Sequence, residues 1–241
     1  TSQFWCKINK FISFSHHFLW KTYLKSLNNS VHIPLCLFAV VHFNHKFTSY
    51  PHTYPQFFRT FASMNRRKIR TVEMQRLSLE EFHEAKKLPL VVVLDDVRSM
   101  YNIGSVFRTS DAFRVECVCL CGICQTPPAT EIHKTALGAE ESVSWKYYQT
   151  ALEAVEELKK AGYEVLAVEQ VEHSTKLQHF TPSKENKYAV VLGNEVKGVH
   201  QEAVDACDGC LEIPQLGTKH SMNVSVTAGI VIWELFKSIH N

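Results

Sequence analysis

LVVVLDDVRSMYNIGSVFRTSDAFRVECVCLC, residues 90–121, decides the fold. Leu90–Leu94 is an unbroken aliphatic run rich in valine, the composition of a strand buried on both faces. Asn102–Phe113 reads as a helix and Glu116–Cys121 as a second strand, in which Cys117, Cys119 and Cys121 share one face. Free cysteine behaves there as a small apolar residue.

The alternation continues downstream. Gly122–Thr130, with Pro127-Pro128, is a loop, Glu131–Ala136 a helical turn before Gly138, and Val143–Tyr147 a short strand. Thr150 and Glu153 have capping-box spacing for a helix reaching Ala161, with Gly162 past its end. Tyr163–Val168 is a strand, Glu172–Asn186 a polar connection, and Tyr188–Leu192 another strand buried on both faces. Gln201–Ala206 is a short helix and Cys210–Ile213 a strand end stopped by Pro214. After the loop Gln215–His220, Val224, Ala228, Val231, Ile232, Leu235, Phe236 and Ile239 share one helical face, and Ser221 or Asn223 can cap that helix. Upstream, Ser78 and Glu81 form a capping box for a short helix reaching about Lys87. Strands alternating with helices predict an α/β fold, a mostly parallel sheet with helices on both faces.

The net charge of +2 hides an asymmetry. Residues 1–63 carry six of the 26 Lys and Arg, none of the 24 Asp and Glu, and ten of the 15 Phe. The remaining 178 residues therefore have a net charge of −4. The apolar run Ile33–Phe43 is shorter than the ~20 residues a membrane helix needs and lies too deep for a signal peptide. The acid-free segment is read as an extension outside the evolved protein, with Met64 as a natural beginning, 64–88 a short basic and helical segment, and 89–241 the functional domain. NRRK, Asn65–Lys68, is either a solvated terminus or an arm for RNA phosphates. Cys121-x-x-Cys124 and Cys207-x-x-Cys210 have zinc-knuckle spacing, so a zinc-stabilised binding module is one reading, although the first pair overlaps a core strand and the second lies in a helix-to-strand connection.

No G-x-G-x-x-G follows the first strand, and no P-loop, H-E-x-x-H or G-x-S-x-G occurs. Ligands of open α/β sheets bind beyond the carboxyl ends of strands. Two polar stretches lie at such ends, LGNEVKG (192–198) and IPQLGTKHSMNVSVTAG (213–229). Taken alone, Asn102 reads as a helix cap, Arg108 as a solvated helix residue, and Glu195 as a charge partner for an arginine or a helix N-terminus.

N-x-G-x-x-x-R-T at Asn102–Thr109, then LGNEVKG, then IPQ…SMNVSVTAG, resembles in this order the three motifs of the SpoU family, RNA 2′-O-ribose methyltransferases of the SPOUT superfamily. The resemblance covers about Leu90 to Ile239. It implies a C-terminal trefoil knot, S-adenosylmethionine as methyl donor, no metal, a cytoplasmic homodimer whose subunits complete each site, and no membrane. By resemblance Asn102, Arg108, Glu195, Ser221 and Asn223 form the catalytic and substrate-binding set, with Arg108 acting on the 2′-hydroxyl. Leu192, Gly193, Ile213 and Met222 would line the cofactor pocket. Arginine is effectively never deprotonated, and its fork suits an RNA phosphate equally well. An ion pair between Glu195 and Arg108 would join the two readings. A catalytically silent RNA-binding assembly factor is the alternative, but every polar motif position is retained. The expected substrate is tRNA rather than rRNA, because no large additional RNA-binding domain is evident. RNA affinity then rests on a local basic patch drawn from Arg66, Arg67, Lys68, Arg70, Arg98, Lys134, Lys197 and Lys219.

Overall fold

The structure, a computed structural model, describes residues 67–240. The expectations for residues 1–66 lie outside the described residues. Among the described residues all regular elements belong to one unit, Thr71–Asn241, and the described part of the other unit, 67–70, has no regular structure.

The strands are β1 (Leu88–Asp95), β2 (Val115–Cys121), β3 (Ser144–Tyr148), β4 (Tyr163–Val168), β5 (Thr175–Lys176), β6 (Lys187–Leu192) and β7 (Gly209–Glu212). The α-helices are α1 (Leu79–Glu84), α2 (Met100–Ala112), α3 (Thr130–Ala136), α4 (Ala139–Ser142), α5 (Ala151–Lys160), α6 (Gln201–Ala206) and α7 (Val224–His240). All the strands pair in parallel in one sheet of order β3-β2-β1-β6-β4-β7-β5.

β1 runs through the middle because it can bury both faces. Leu90, Val92 and Leu94 pack on one side with Ile103, Val106 and Phe107 of α2 and Ala228, Val231, Ile232 and Leu235 of α7. Val91 and Val93 pack on the other with Ala151, Ala154, Val155 and Leu158 of α5 and Ala203 of α6. The two-residue period of a strand requires this split. Each such aliphatic side chain contributes about 1.5–3 kcal/mol on full burial. The chain lays down β1, β2 and β3 in one direction, then returns to the other side of β1 with β4 and inserts β6 between them. The order of winding thus reverses between β1 and β6, and ligands of such sheets bind beyond the carboxyl ends of the strands.

Local signals mostly mark their elements. Ser78 and Glu81 make a complete capping box, but α1 ends at Glu84 rather than near Lys87. Thr150 caps α5 by accepting the Glu153 N–H at 3.2 Å, whereas Glu153 reaches the N–H of Gln149, one residue beyond the box. α2 begins earlier than expected, because Ser99 is its cap and accepts the Asn102 N–H at 3.3 Å. The connection read as polar, Glu172–Asn186, contains β5 and a 3₁₀ turn, Leu177–His179, anchored by buried Leu177. Among the described residues no helix is long and apolar enough to cross a membrane.

Candidate active site

Leu192 ends β6 buried, and the chain then folds back on itself. Gly198 donates its N–H to Asn194 O at 2.9 Å, while Asn194 Oδ1 accepts the N–H groups of Val196 and Lys197 at 3.0 and 2.8 Å. This closed loop explains both glycines of LGNEVKG. A Cβ on Gly193 would lie 1.9 Å from the Gly198 carbonyl carbon, backbone against backbone. Gly198 has φ +69°, a region that favours glycine, and a Cβ there would meet the Glu169 carboxylate at 2.1 Å. Glu169, just past β4, braces the loop by accepting the Val199 N–H at 3.1 Å.

Between this loop, the end of β4 and the loop after β7 lies a cavity of about 380 Å³. Leu192, Ile213, Met222 and Val224 supply apolar lining, and Glu169, Glu195 and Glu212 supply carboxylates. Gly193, Lys197, His220 and Ser221 also line it. All four residues expected at the cofactor pocket are therefore on one cavity wall. Lys176 and Ser174 hold the Glu212 carboxyl below its usual range, so it is ionised at neutral pH. Gln170 Nε2 donates to His220 O at 2.9 Å and ties the loop after β4 to the loop before α7.

Three motif residues from distant parts of the chain meet beside this cavity, and one of them, Glu195, lines it. Asn223 Oδ1 caps α7 by accepting the N–H groups of Ser225 and Val226 at 2.9 and 3.4 Å and the Ser225 hydroxyl at 2.6 Å. Asn223 Nδ2 donates to Asn102 Oδ1 at 3.2 Å, and Asn102 Nδ2 donates to Glu195 Oε1. Because Ser99 caps α2, the Asn102 side chain is free to join this chain.

The expected Arg108–Glu195 ion pair is not formed. Glu195 takes the Asn102 amide instead, and Arg108 is exposed with no ion pair among the described residues. A step of six residues turns a helix through about 600°, so Asn102 and Arg108 leave α2 roughly 120° apart. Ser221 is exposed on the cavity wall and does not cap α7; Asn223 does.

The sequence reading passed over Glu169 and Gln170. They follow a strand end, the same signal that located the other two loops. It also passed over a pair that joins β1 to α6. Asp95 is 2% exposed, and its carboxylate accepts the His200 N–H at 2.8 Å and faces His200 Nδ1 at 3.0 Å. That contact, with Asp96 beyond it, raises the His200 pKa above the ordinary imidazole value. The zinc reading has no support in the geometry. Cys124 donates its thiol to Leu94 O at 3.3 Å and accepts the Val97 N–H at 3.2 Å, and burial pushes its pKa up to about 11. Burial likewise pushes Cys207 up to about 12. Among the described residues no group of three or more His, Cys, Asp or Glu is placed to hold a metal ion.

Residues 89–233 match the model of the SpoU rRNA Methylase family. The chain is 28% identical over 163 residues to a TrmH-family protein of Staphylococcus aureus, a match covering 68% of this chain and 64% of that protein. It is 32% identical over 161 residues to the 23S rRNA (guanosine-2′-O-)-methyltransferase RlmB of Nitrosomonas europaea, covering 66% and 61%. The chain thus spans less than two thirds of the length of these relatives. Among solved structures, the TrmH/SpoU tRNA modifying enzyme of A. aeolicus superposes with a TM-score of 0.60 at 25% identity, over 67% of this chain and 82% of that one. An AdoMet-bound rRNA methyltransferase of Sinorhizobium meliloti superposes with a TM-score of 0.58 at 25% identity, over 68% and 61%.

Proposed function

The chain belongs to the SpoU rRNA methylase family, and on that premise we propose that it transfers a methyl group from S-adenosylmethionine to a ribose 2′-hydroxyl of structured RNA. The observation that carries this reading is the hydrogen-bonded chain Asn223–Asn102–Glu195, which links all three motifs at the edge of one cavity. Asn102 is not needed as a helix cap, since α2 has its cap in Ser99.

The cavity suits the methyl donor chemically. Its volume lies within the range of small-molecule sites. Leu192, Ile213, Met222 and Val224 offer apolar walls for a heterocycle, and the carboxylates of Glu169 and Glu212 complement a sulfonium and an ammonium group. Leu192, Gly193, Ile213 and Met222 would hold the donor, which when bound supplies an electrophilic methyl group. Asn102, Glu195, Ser221 and Asn223 form the acceptor side. Arg108 carries a planar guanidinium into solvent, where it can fork onto an RNA phosphate and position the ribose.

The active unit of this proposal is a homodimer. α7 buries Val231 and Leu235 on its own sheet yet exposes Val226, Ile230 and Trp233 on another side, and an apolar stripe of that kind calls for cover. A second copy, as the family resemblance implies, would provide it. We favour tRNA as the substrate. Comparing ribose methylation of tRNA and rRNA between cells with and without the gene tests the assignment. Loss of one 2′-O-methylnucleoside from tRNA is the expected result. Loss from rRNA alone would replace the substrate, and no change in either would refute the reading.

A further inference from the structure

Resting on the methyltransferase reading, we propose that Glu195 Oε2 receives the proton of the ribose 2′-hydroxyl, and that α7 orients Glu195 for this through a one-way chain of side-chain amides. The direction of the chain follows from its first member. Asn223 places one side-chain atom against the N–H groups of Ser225 and Val226. Only an oxygen can accept there, so the amide nitrogen must face Asn102. Asn102 must then present its oxygen to Asn223 and its nitrogen to Glu195. Neither amide can flip without setting donor against donor or acceptor against acceptor. Glu195 Oε1 is thereby confined to accepting.

Its other oxygen, Oε2, has no hydrogen-bond partner among the described residues, and Glu195 lines the cavity. A carboxylate with one oxygen pinned and the other open at a cavity wall has the fixed geometry that general-base work requires. Glu212 also lines the cavity with one oxygen held, but the Lys176 ammonium and the Ser174 hydroxyl take that oxygen and make it the weaker base. Arg108 has no lone pair to offer. His220 also lines the cavity, but it is exposed and no hydrogen bond fixes its ring among the described residues. In the proposed step the ribose oxygen gains a bond to the methyl carbon and the carbon–sulfur bond breaks with its electron pair kept by sulfur. The hydroxyl proton passes to Glu195 Oε2. Asn102 and Asn223 are positioning residues.

The test uses the full chain carrying Glu195→Gln, Asn223→Asp, Asn223→Ser or His220→Ala. Each is assayed for methyl transfer to RNA, for S-adenosylmethionine affinity by calorimetry and for thermal melting. Glu195→Gln should lose about 10²–10⁴-fold in turnover, more than His220→Ala, with donor affinity changed less than about threefold. Asn223→Asp keeps an excellent helix cap and so keeps its melting temperature. Its second carboxylate oxygen, however, faces the Asn102 oxygen and forces that amide to flip toward Glu195. It should fall well below Asn223→Ser, which caps without reversing the chain. A readout apart from activity is the Asn102 side-chain amide in the nitrogen NMR spectrum of the protein alone. Its resonance should differ between the unaltered protein and Glu195→Gln. Wild-type turnover in Glu195→Gln, or an Asn102 amide that is indifferent to that substitution, overturns the proposal while leaving the methyltransferase reading intact. No methyl transfer by the unaltered protein overturns both.

Discussion

Arg108 and Asn102 belong to one helix and face different tasks because a six-residue step separates them around its axis. Asn102 is held by hydrogen bonds on both sides, and Arg108 projects into solvent. If Arg108 grips RNA, Arg108→Ala should leave S-adenosylmethionine binding unchanged and reduce turnover by about 10²–10³-fold, the usual cost of one such contact. Arg108→Lys should restore little, because it keeps the charge but not the planar fork. An ordinary surface arginine predicts the reverse, with a stability cost within about 0.5 kcal/mol and methylation unaffected. Calorimetry and a methyl-transfer assay on both variants separate these outcomes. Gly193 makes a sharper structural forecast. A methyl group there strikes Gly198 and Val199 backbone atoms at 1.9–2.2 Å, and no rotamer can relieve a Cβ clash. Gly193→Ala should therefore lose donor binding and about 1–3 kcal/mol of stability in denaturant unfolding.

The loop between β6 and α6 shows how an element is fixed at both of its ends. Glu169 holds the Gly198–Val199 peptide, and Asp95 holds His200 one residue later. The His200 pKa is raised first by its hydrogen bond to Asp95, then by the charges of Asp95 and Asp96, against which Lys197 works. A raised folded-state pKa means the contact stabilises fully below the unfolded pKa and is lost as pH rises through the folded one. His200→Gln should thus destabilise the protein at about pH 6 and converge with the unaltered chain near about pH 9. Urea unfolding at both values checks this, and a deficit independent of pH would contradict it. Half of the His200 side chain is exposed, so solvent limits the size of the effect. The same loop marks where the sequence could be read and where it could not. Buried strands such as β1 and β6 are legible because valine runs bury both faces, and LGNEVKG is legible because its glycines follow a strand end. The braces from Glu169 and Asp95 are not. They join residues 30 and 105 positions apart, and only the strand order brings those together. Asn102 taken alone reads as a cap, but Ser99, three residues earlier, fills that role.

At the scale of the whole molecule, the parallel sheet brings the ends of β4, β6 and β7 to one cavity, with the Asn102 end of α2 alongside. The exposed face of α7 then bears on assembly. Trp233 is 50% exposed, stacks with Phe236 and meets Phe113 at a tilt, in one aromatic cluster. A dimer formed there should dissociate when Ile230→Asp and Trp233→Asp put charges into its centre. Sedimentation should show a dimer for the unaltered chain at micromolar concentration and a monomer for the double variant. A monomer in both cases would remove this interface from the account. The central claim is the reaction itself, and purified protein with labelled S-adenosylmethionine and undermodified cellular RNA tests it most directly. After digestion to nucleosides, the account predicts that the label resides in a 2′-O-methylnucleoside. Label in a methylated base, or no label in RNA at all, would contradict it.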